Sequence, residues 1–297
     1  MPFMSTEEAA KRWGVSERSV RNYCAQGRVP GAFLTGKTWS IPEGARKPAR
    51  LNGVQRPLPP LLRRLREEKD SKAKGGIYHK VQVEMTYNSN RIEGSCLSLE
   101  QTRLIFETAT VGVDGDSVRV DDIVETANHF RAIDFVIDNA LEPLTAAMLK
   151  EMHRILKTGT TDADRDWFNV GEYKMLPNEV GGRKTTPPED VPDAVAELLD
   201  GYAASGAHTF EDILSFHVEF ERIHPFQDGN GRVGRLVMLK ECLANGVVPF
   251  VIEDDMKAYY YRGLAEWDAE RGYLAGTCLA AQDRFKEALD YFRIEWA

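Results

Sequence analysis

At 297 residues the chain is long enough for one large domain and one small one, each able to bury its own core. Its composition is that of a globular protein, with 42% hydrophobic and 28% charged residues; no apolar run approaches the roughly 20 residues of a bilayer-spanning helix, which excludes a helical membrane span. The formal charge of -8 hides an asymmetry, since residues 1–80 carry 17 Lys+Arg against 7 Asp+Glu and the remainder 21 against 39, so nucleic acid, if bound, belongs to the N-terminal part.

The chain opens with MSTEEAAKRWGV, without the basic start and apolar stretch of a secretory leader, and a cytoplasmic location is expected. From Ser5 to about Gln26 two short helices flank a tight turn. Ser5 with Glu8 forms a candidate capping box, Ala9, Ala10 and Trp13 recur at helical spacing, and Gly14 would end the first helix. Ser16 can cap the second, which turns Val20 and Tyr23 inward and leaves Arg18, Ser19, Arg21 and Asn22 on a polar face. The stretch AFLTGKTWSIPEGA then reads as a small hairpin about a Gly-Lys turn. These elements resemble the winged helix-turn-helix modules of excisionase and MerR-like proteins. The resemblance implies a domain over 1–48 that binds double-stranded DNA, with Arg18, Ser19, Arg21, Asn22, Arg28 and Lys37 as contact candidates.

Residues 49–60, rich in proline and positive charge, are the expected linker. The pattern from residue 61 onward is helical: LLRRLREE, VQVEMTYNSNRI, LEQTRLIFETA, VDDIVETANHFRAIDFVIDNA, LTAAMLKEMHRIL, VPDAVAELLDGYAA, EDILSFHVEFERI, GRVGRLVMLKECLANG and MKAYYYRGLAEWDA. The exception is residues 171–190, where alternation around Gly181 and Gly182, followed by two prolines, predicts a hairpin. Cys24, Cys96, Cys242 and Cys278 are widely spaced and suggest reduced, mostly buried thiols rather than a zinc site or disulfide framework.

Chemistry concentrates in IHPFQDGNGRVGR, Ile223 to Arg235, between two apolar-periodic helices. Gly229, Asn230 and Gly231 give a backbone that an anion can approach closely, at the positive end of the following helix. Arg232 and Arg235, three apart, project to nearly the same side and can grip successive phosphates. Asp228 supplies one carboxylate beside them, which is how Mg²⁺ is often held in nucleotide sites. His224 can accept a proton from an incoming hydroxyl at neutral pH, its unperturbed pKa being about 6.5.

This segment resembles the signature of the Fic family, HPFx[DE]GNGRxxR, at every defining position. The resemblance covers about 57–297 and implies a mostly α fold: a Fic-type helical bundle with a β-hairpin flap over 61–297. It implies transfer of AMP from ATP to a Ser, Thr or Tyr hydroxyl of a target protein, or of the chain itself. His224 is then the general base, Asp228 the Mg²⁺ ligand, Phe226 the core anchor of the loop, Gly229–Gly231 the anion cradle, and Arg232 and Arg235 the phosphate grips. The stretch with Gly171, Glu172, Tyr173, Lys174, Gly181 and Gly182 resembles the flap that docks a target segment as an added strand. Ser89 to Gly94, SNRIEG, resembles the family's N-terminal inhibitory motif [ST]xxxE[GN], on a helix near 85–95. Ser89, Glu93 and Gly94 carry it, and Glu93 would occupy the guanidinium of Arg235 that must otherwise hold the γ-phosphate.

Two other readings compete: removal of AMP from a modified protein at the same site, and a DNA-binding regulator whose Fic body senses nucleotide. Family members also transfer UMP, phosphate or phosphocholine; retention of both arginines and of the inhibitory glutamate favours ATP. A homo-oligomer is compatible with every one of these readings. His79, His129, His153, His208 and His217 are expected in the core, as are Tyr259, Tyr260 and Tyr261, whose alternative roles are self-modification or lining the adenine pocket.

Overall fold

The computed structural model describes residues 3–25, 29–36, 38–48, 58–112 and 117–296. Two compact units divide at Leu58/Pro59. In the first, α1 (Thr6–Trp13) starts on the Ser5–Glu8 capping box and ends at Gly14, and α2 (Glu17–Ala25) follows, with the Ser19 amide bonded to the Ser16 hydroxyl. Strands β2 (Phe33–Thr35) and β3 (Thr38–Pro42) pair antiparallel, Leu34 opposite Trp39. A strand not foreseen, β1 (Phe3–Met4), adds to the other edge of β3 with Met4 opposite Ile41; two residues are too short for any periodic signal. Met4, Ala9, Ala10, Trp13, Val20, Cys24, Val29 and Ile41 form this unit's core. Arg28, Lys37, residues 49–57 of the expected linker and the side chain of Asn22 lie outside the described residues.

The second unit is helical. In order, the helices are α3 (Pro60–Ser71), α4 (Ile77–Ile92), α5 (Leu99–Thr108), α6 (Val120–Asp138), α7 (Ala146–Lys157), α8 (Val191–Ala203), α9 (Phe210–Ile223), α10 (Asn230–Asn245), α11 (Lys257–Ala265) and α12 (Gly272–Tyr291), and the long 158–190 connection carries a two-stranded ribbon. Proline fits the first turn of a helix because its missing N–H is orphaned there anyway, so α3 takes up Pro60, which the linker was expected to include. The final helix, α12, was not singled out in the sequence; it is held by Leu274, Cys278, Ala281 and Phe285.

Helix α10 is the axis of this unit: from Val233 to Leu243 every residue is buried, against α9, α6, α7 and α4. A helix apolar on all sides would suit that place. Here Arg232, Arg235, Lys240 and Glu241 are buried as well, and each must be paired. Lys240 donates to Glu241 at 2.7 Å and to the Ala140 carbonyl at 3.1 Å.

The hairpin is shorter than expected. Strands β4 (Glu179–Val180) and β5 (Arg183–Lys184) pair across Gly181 and Gly182, both at positive φ (57° and 76°), the conformation a two-residue turn demands. Gly171 to Lys174 are not part of it, because they are tied to the body. The Gly171 amide donates to His153 Nδ1, Glu172 pairs with Lys150, Tyr173 packs beside Phe226, and buried Lys174 donates to the Ile223 carbonyl, Asn178 and Thr185.

Candidate active site

Helix α9 stops at His224, whose left-handed backbone (φ 51°) is unusual for a residue with a side chain and turns the imidazole out of the helix line. The loop then plunges inward. Phe226 is fully buried and stacks on His153, ring centroids 4.2 Å apart with planes 2° from parallel. Asn230 fixes the loop from both sides, its amide donating to the Phe226 carbonyl and its carbonyl accepting from the Phe226 N–H, both at 2.8 Å. The side chain of Asn230 is therefore a loop clamp, and what it offers an anion is its backbone amide. Gly229, at φ 79°, caps α10.

Two ionic assemblies flank this helix start. In the first, Arg232 binds Glu125 (2.5 Å) and Asp228 (3.2 Å), and Lys157 binds the same two carboxylates at 2.6 and 2.7 Å, closing a four-membered ring. Burial works to raise the Asp228 carboxyl, but Arg232 and Lys157 outweigh it and hold it far below the usual carboxylate range. Both cations contact Oδ2, and 47% of the Asp228 side chain remains exposed. In the second assembly Arg235, almost wholly buried, donates through Nε to the Ser89 hydroxyl (3.0 Å) and through its terminal nitrogen to the Ser89 carbonyl (3.0 Å) and Glu93 (2.6 Å). Glu93 is the C-cap of α4, and Gly94 follows at φ 93°. Gly231 faces this pair: a Cβ there would collide with Glu93 Oε1 and come within 3.0 Å of Arg235.

His224 is electrostatically coupled to both assemblies, to Asp228 in the first and Glu93 in the second. Burial first, and then the Lys174 ammonium, lower its pKa to about 4, so the ring is neutral at pH 7 and a weaker base than its sequence position suggested. Its Nδ1 lies 3.9 Å from Glu221, whose own carboxyl is pushed up to about 7, chiefly by burial. Glu221, Lys157 and Glu125 were missed in the sequence, and His153 was read there only as a core residue. Lys157 is 71 positions from Asp228 on another helix, and nothing local marks it out.

Among the other expectations, His129, His153 and His217 are buried, and burial lowers each to about 3. His79 and His208 are only half-buried, against Glu107 and the Tyr202 ring, where the bundle surface leaves polar partners within reach. Tyr260 is buried and bonded to His217, but Tyr259 (65% exposed) and Tyr261 (41%) are exposed rather than in the core. All four cysteines are free, and only Cys96 is exposed. Arg18, Ser19 and Arg21 lie together on α2 in the first unit, where Arg21 pairs with Glu17. Among the described residues no helix is long and apolar enough to cross a membrane.

Residues 143–242 match the model of the Fic/DOC family. Protein adenylyltransferase Fic of Culex quinquefasciatus is 30% identical over 183 residues, 60% of this chain and 35% of that one; protein adenylyltransferase fic-1 of Caenorhabditis briggsae is 29% identical over 188 residues. The chain thus spans about a third of the length of the curated relatives it matches. A Fic-domain signalling protein from Bacteroides thetaiotaomicron superposes with a TM-score of 0.61 at 26% identity, covering 77% of this chain and 94% of that one. Fic-1 from C. elegans shares the fold, with a TM-score of 0.61 at 20% identity over 78% of this chain and 72% of that one. The chain is thus similar to the Fic/DOC family over residues 143–242 and, over 183 residues, to protein adenylyltransferases.

Proposed function

We propose that the chain is a protein adenylyltransferase restrained by its own Glu93. The observation that carries this reading is one helix start, α10, bearing Gly229–Gly231, Arg232 and Arg235 with the neutral imidazole of His224 and the ionised carboxylate of Asp228 beside it. Backbone amides and two guanidinium groups would hold the ATP triphosphate. His224 would take the proton of an acceptor Ser, Thr or Tyr hydroxyl as its oxygen attacks the α-phosphorus, and the bond to the bridging oxygen breaks with pyrophosphate as leaving group. Asp228 would hold a divalent cation through the oxygen that neither Lys157 nor Arg232 contacts; Mg²⁺ bound there would neutralise charge on the phosphates. The 179–184 ribbon would dock the target segment by backbone pairing.

Restraint follows from the Arg235 contacts. While Glu93 and Ser89 occupy its guanidinium, a γ-phosphate has no grip there, and ATP is held in a pose unsuited to in-line attack. Incubation with labelled ATP and Mg²⁺ tests both claims. Glu93→Gly should label protein much more strongly than the parent chain, and His224→Ala in that background should abolish labelling while ATP still binds. Equal labelling of parent and Glu93→Gly chains would remove the inhibitory role; an active His224→Ala variant would remove the base.

For the first unit we propose binding to duplex DNA through α2, supported by the helix, Gly14 turn, helix and ribbon order and by the basic excess of the N-terminal residues. The full chain should shift a duplex with affinity that falls steeply with salt, whereas salt-independent or absent binding would leave a packing role.

A further inference from the structure

Lys157 belongs to no part of the signature, yet its ammonium lies at the heart of the first assembly. The side chain is only 2% exposed, and Nζ contacts Asp228 (2.7 Å), Glu125 (2.6 Å) and Asp162 (3.4 Å). Its methylene stem lies against Gly229, 3.7 Å from where a Cβ would sit, and the charge lies 5.4 Å from the centre of the Phe168 ring. A fixed positive charge therefore touches the carboxylate that would receive a divalent cation, and it also stands beside the helix start that would receive the phosphates.

We propose that Lys157 is a resident counter-cation that excludes a bare divalent metal from Asp228 and favours the triphosphate, so that metal enters only together with nucleotide. This rests on the reading of Asp228 as metal ligand given above. The physical basis is the sign of the charges. Lys157 and Arg232 both touch Oδ2 and each repels a dication at Asp228, against the attraction of Glu125 and Asp162, which share those cations. A nucleotide tail brings negative charge that is attracted to the same two cations and offsets that repulsion. Metal exclusion without nucleotide and phosphate attraction are thus two effects of one ammonium, and removing it should move them in opposite directions. Loss of packing or partial unfolding would weaken both together, which separates this role from a merely structural one. Lys157 is a positioning residue in this scheme and takes no proton from the substrate.

The test uses the full chain, with Mn²⁺ followed by electron paramagnetic resonance and ATP followed by calorimetry in the presence of chelator. The parent chain should bind Mn²⁺ alone no tighter than millimolar. Lys157→Met should bind Mn²⁺ alone at least about tenfold tighter and metal-free ATP about tenfold more weakly, while Lys157→Arg, which keeps the charge, should behave as the parent does. Unchanged or weaker Mn²⁺ binding by a cooperatively melting Lys157→Met protein would overturn the inference. Tight binding of Mn²⁺ alone to the parent chain would overturn it too, whether or not the variant folds. Failure of the parent chain to bind ATP with Mn²⁺ present would strike the proposed function instead.

Discussion

Glu93 on α4 accepts a hydrogen bond at 2.6 Å from Arg235 on α10, joining two segments 142 positions apart through a guanidinium that is almost fully buried. Removing a carboxylate from such a pair strands its partner, which usually costs more than the pair itself is worth. Two bonds from Arg235 to Ser89 survive in Glu93→Gly, so a loss of about 1–3 kcal/mol is expected in the absence of nucleotide. ATP should then raise the melting temperature of the variant by more than that of the parent, because its phosphate takes the place of the lost carboxylate. Equal shifts in thermal unfolding with and without ATP would argue that Arg235 is not the nucleotide grip.

Gly231→Ala should reveal the same contact from the opposite side. The new methyl would collide with Glu93 Oε1 in the parent chain, and once residue 93 is glycine the tightest contact left is the flexible end of Arg235, at 3.0 Å. The two substitutions should therefore be non-additive, with the alanine costing at least about 1 kcal/mol less in the Glu93→Gly background. Denaturant melts of the four proteins close the cycle, and strict additivity would show that the two residues do not meet.

Glu221 gives stability a pH dependence of defined sign. Burial, the largest influence, lifts its carboxyl from 4.5 to about 7, with Arg235 opposing and Glu93 reinforcing the rise. Between those values the folded protein keeps a proton that the unfolded chain releases. The associated stability is complete below pH 4.5 and is lost as pH rises through 7, an effect on the order of 2–3 kcal/mol. Glu221→Gln should gain that amount relative to the parent at pH 8 and little at pH 4.5, measured by urea unfolding at both. A constant difference across this range would mean that Glu221 is ionised throughout.

The lowered pKa of His224 makes a kinetic prediction. kcat/KM for labelling by the Glu93→Gly protein should stay level from pH 8 to below 6 and fall only as the imidazole protonates near pH 4. An inflection near the ordinary histidine value of about 6.5 would show that burial and Lys174 do not act on the ring as described.

Much of this was legible in the sequence because the information is local. Ser5 with Glu8, Gly14 and Gly181-Gly182 announce their capping box, helix end and ribbon turn through residues three or fewer positions apart. The α10 start was legible for the same reason, since Asp228, Gly229, Arg232 and Arg235 share one short segment. Lys157 and Glu125 were invisible because they reach Asp228 and Arg232 only after α6 and α7 pack on α10, and an ordinary helical lysine carries no mark of such a destination. The misplacement of Lys174 on the ribbon has the opposite origin. Its neighbourhood alternates as a strand would, but the freed carbonyl of Ile223 at the end of α9 captures its ammonium and folds the segment inward. The titration of His224 was likewise out of reach, because it depends on enclosure rather than on residue type.

The position of Glu93 as the terminal cap of α4 has a further consequence. Carbonyl groups crowd the end of a helix with partial negative charge, the least comfortable setting for an anionic side chain. The bond from Arg235 offsets this, so anything that draws that guanidinium away would weaken the last turn of α4. Under the proposed restraint, the segment that must move is thus the helix end that this one contact helps to hold.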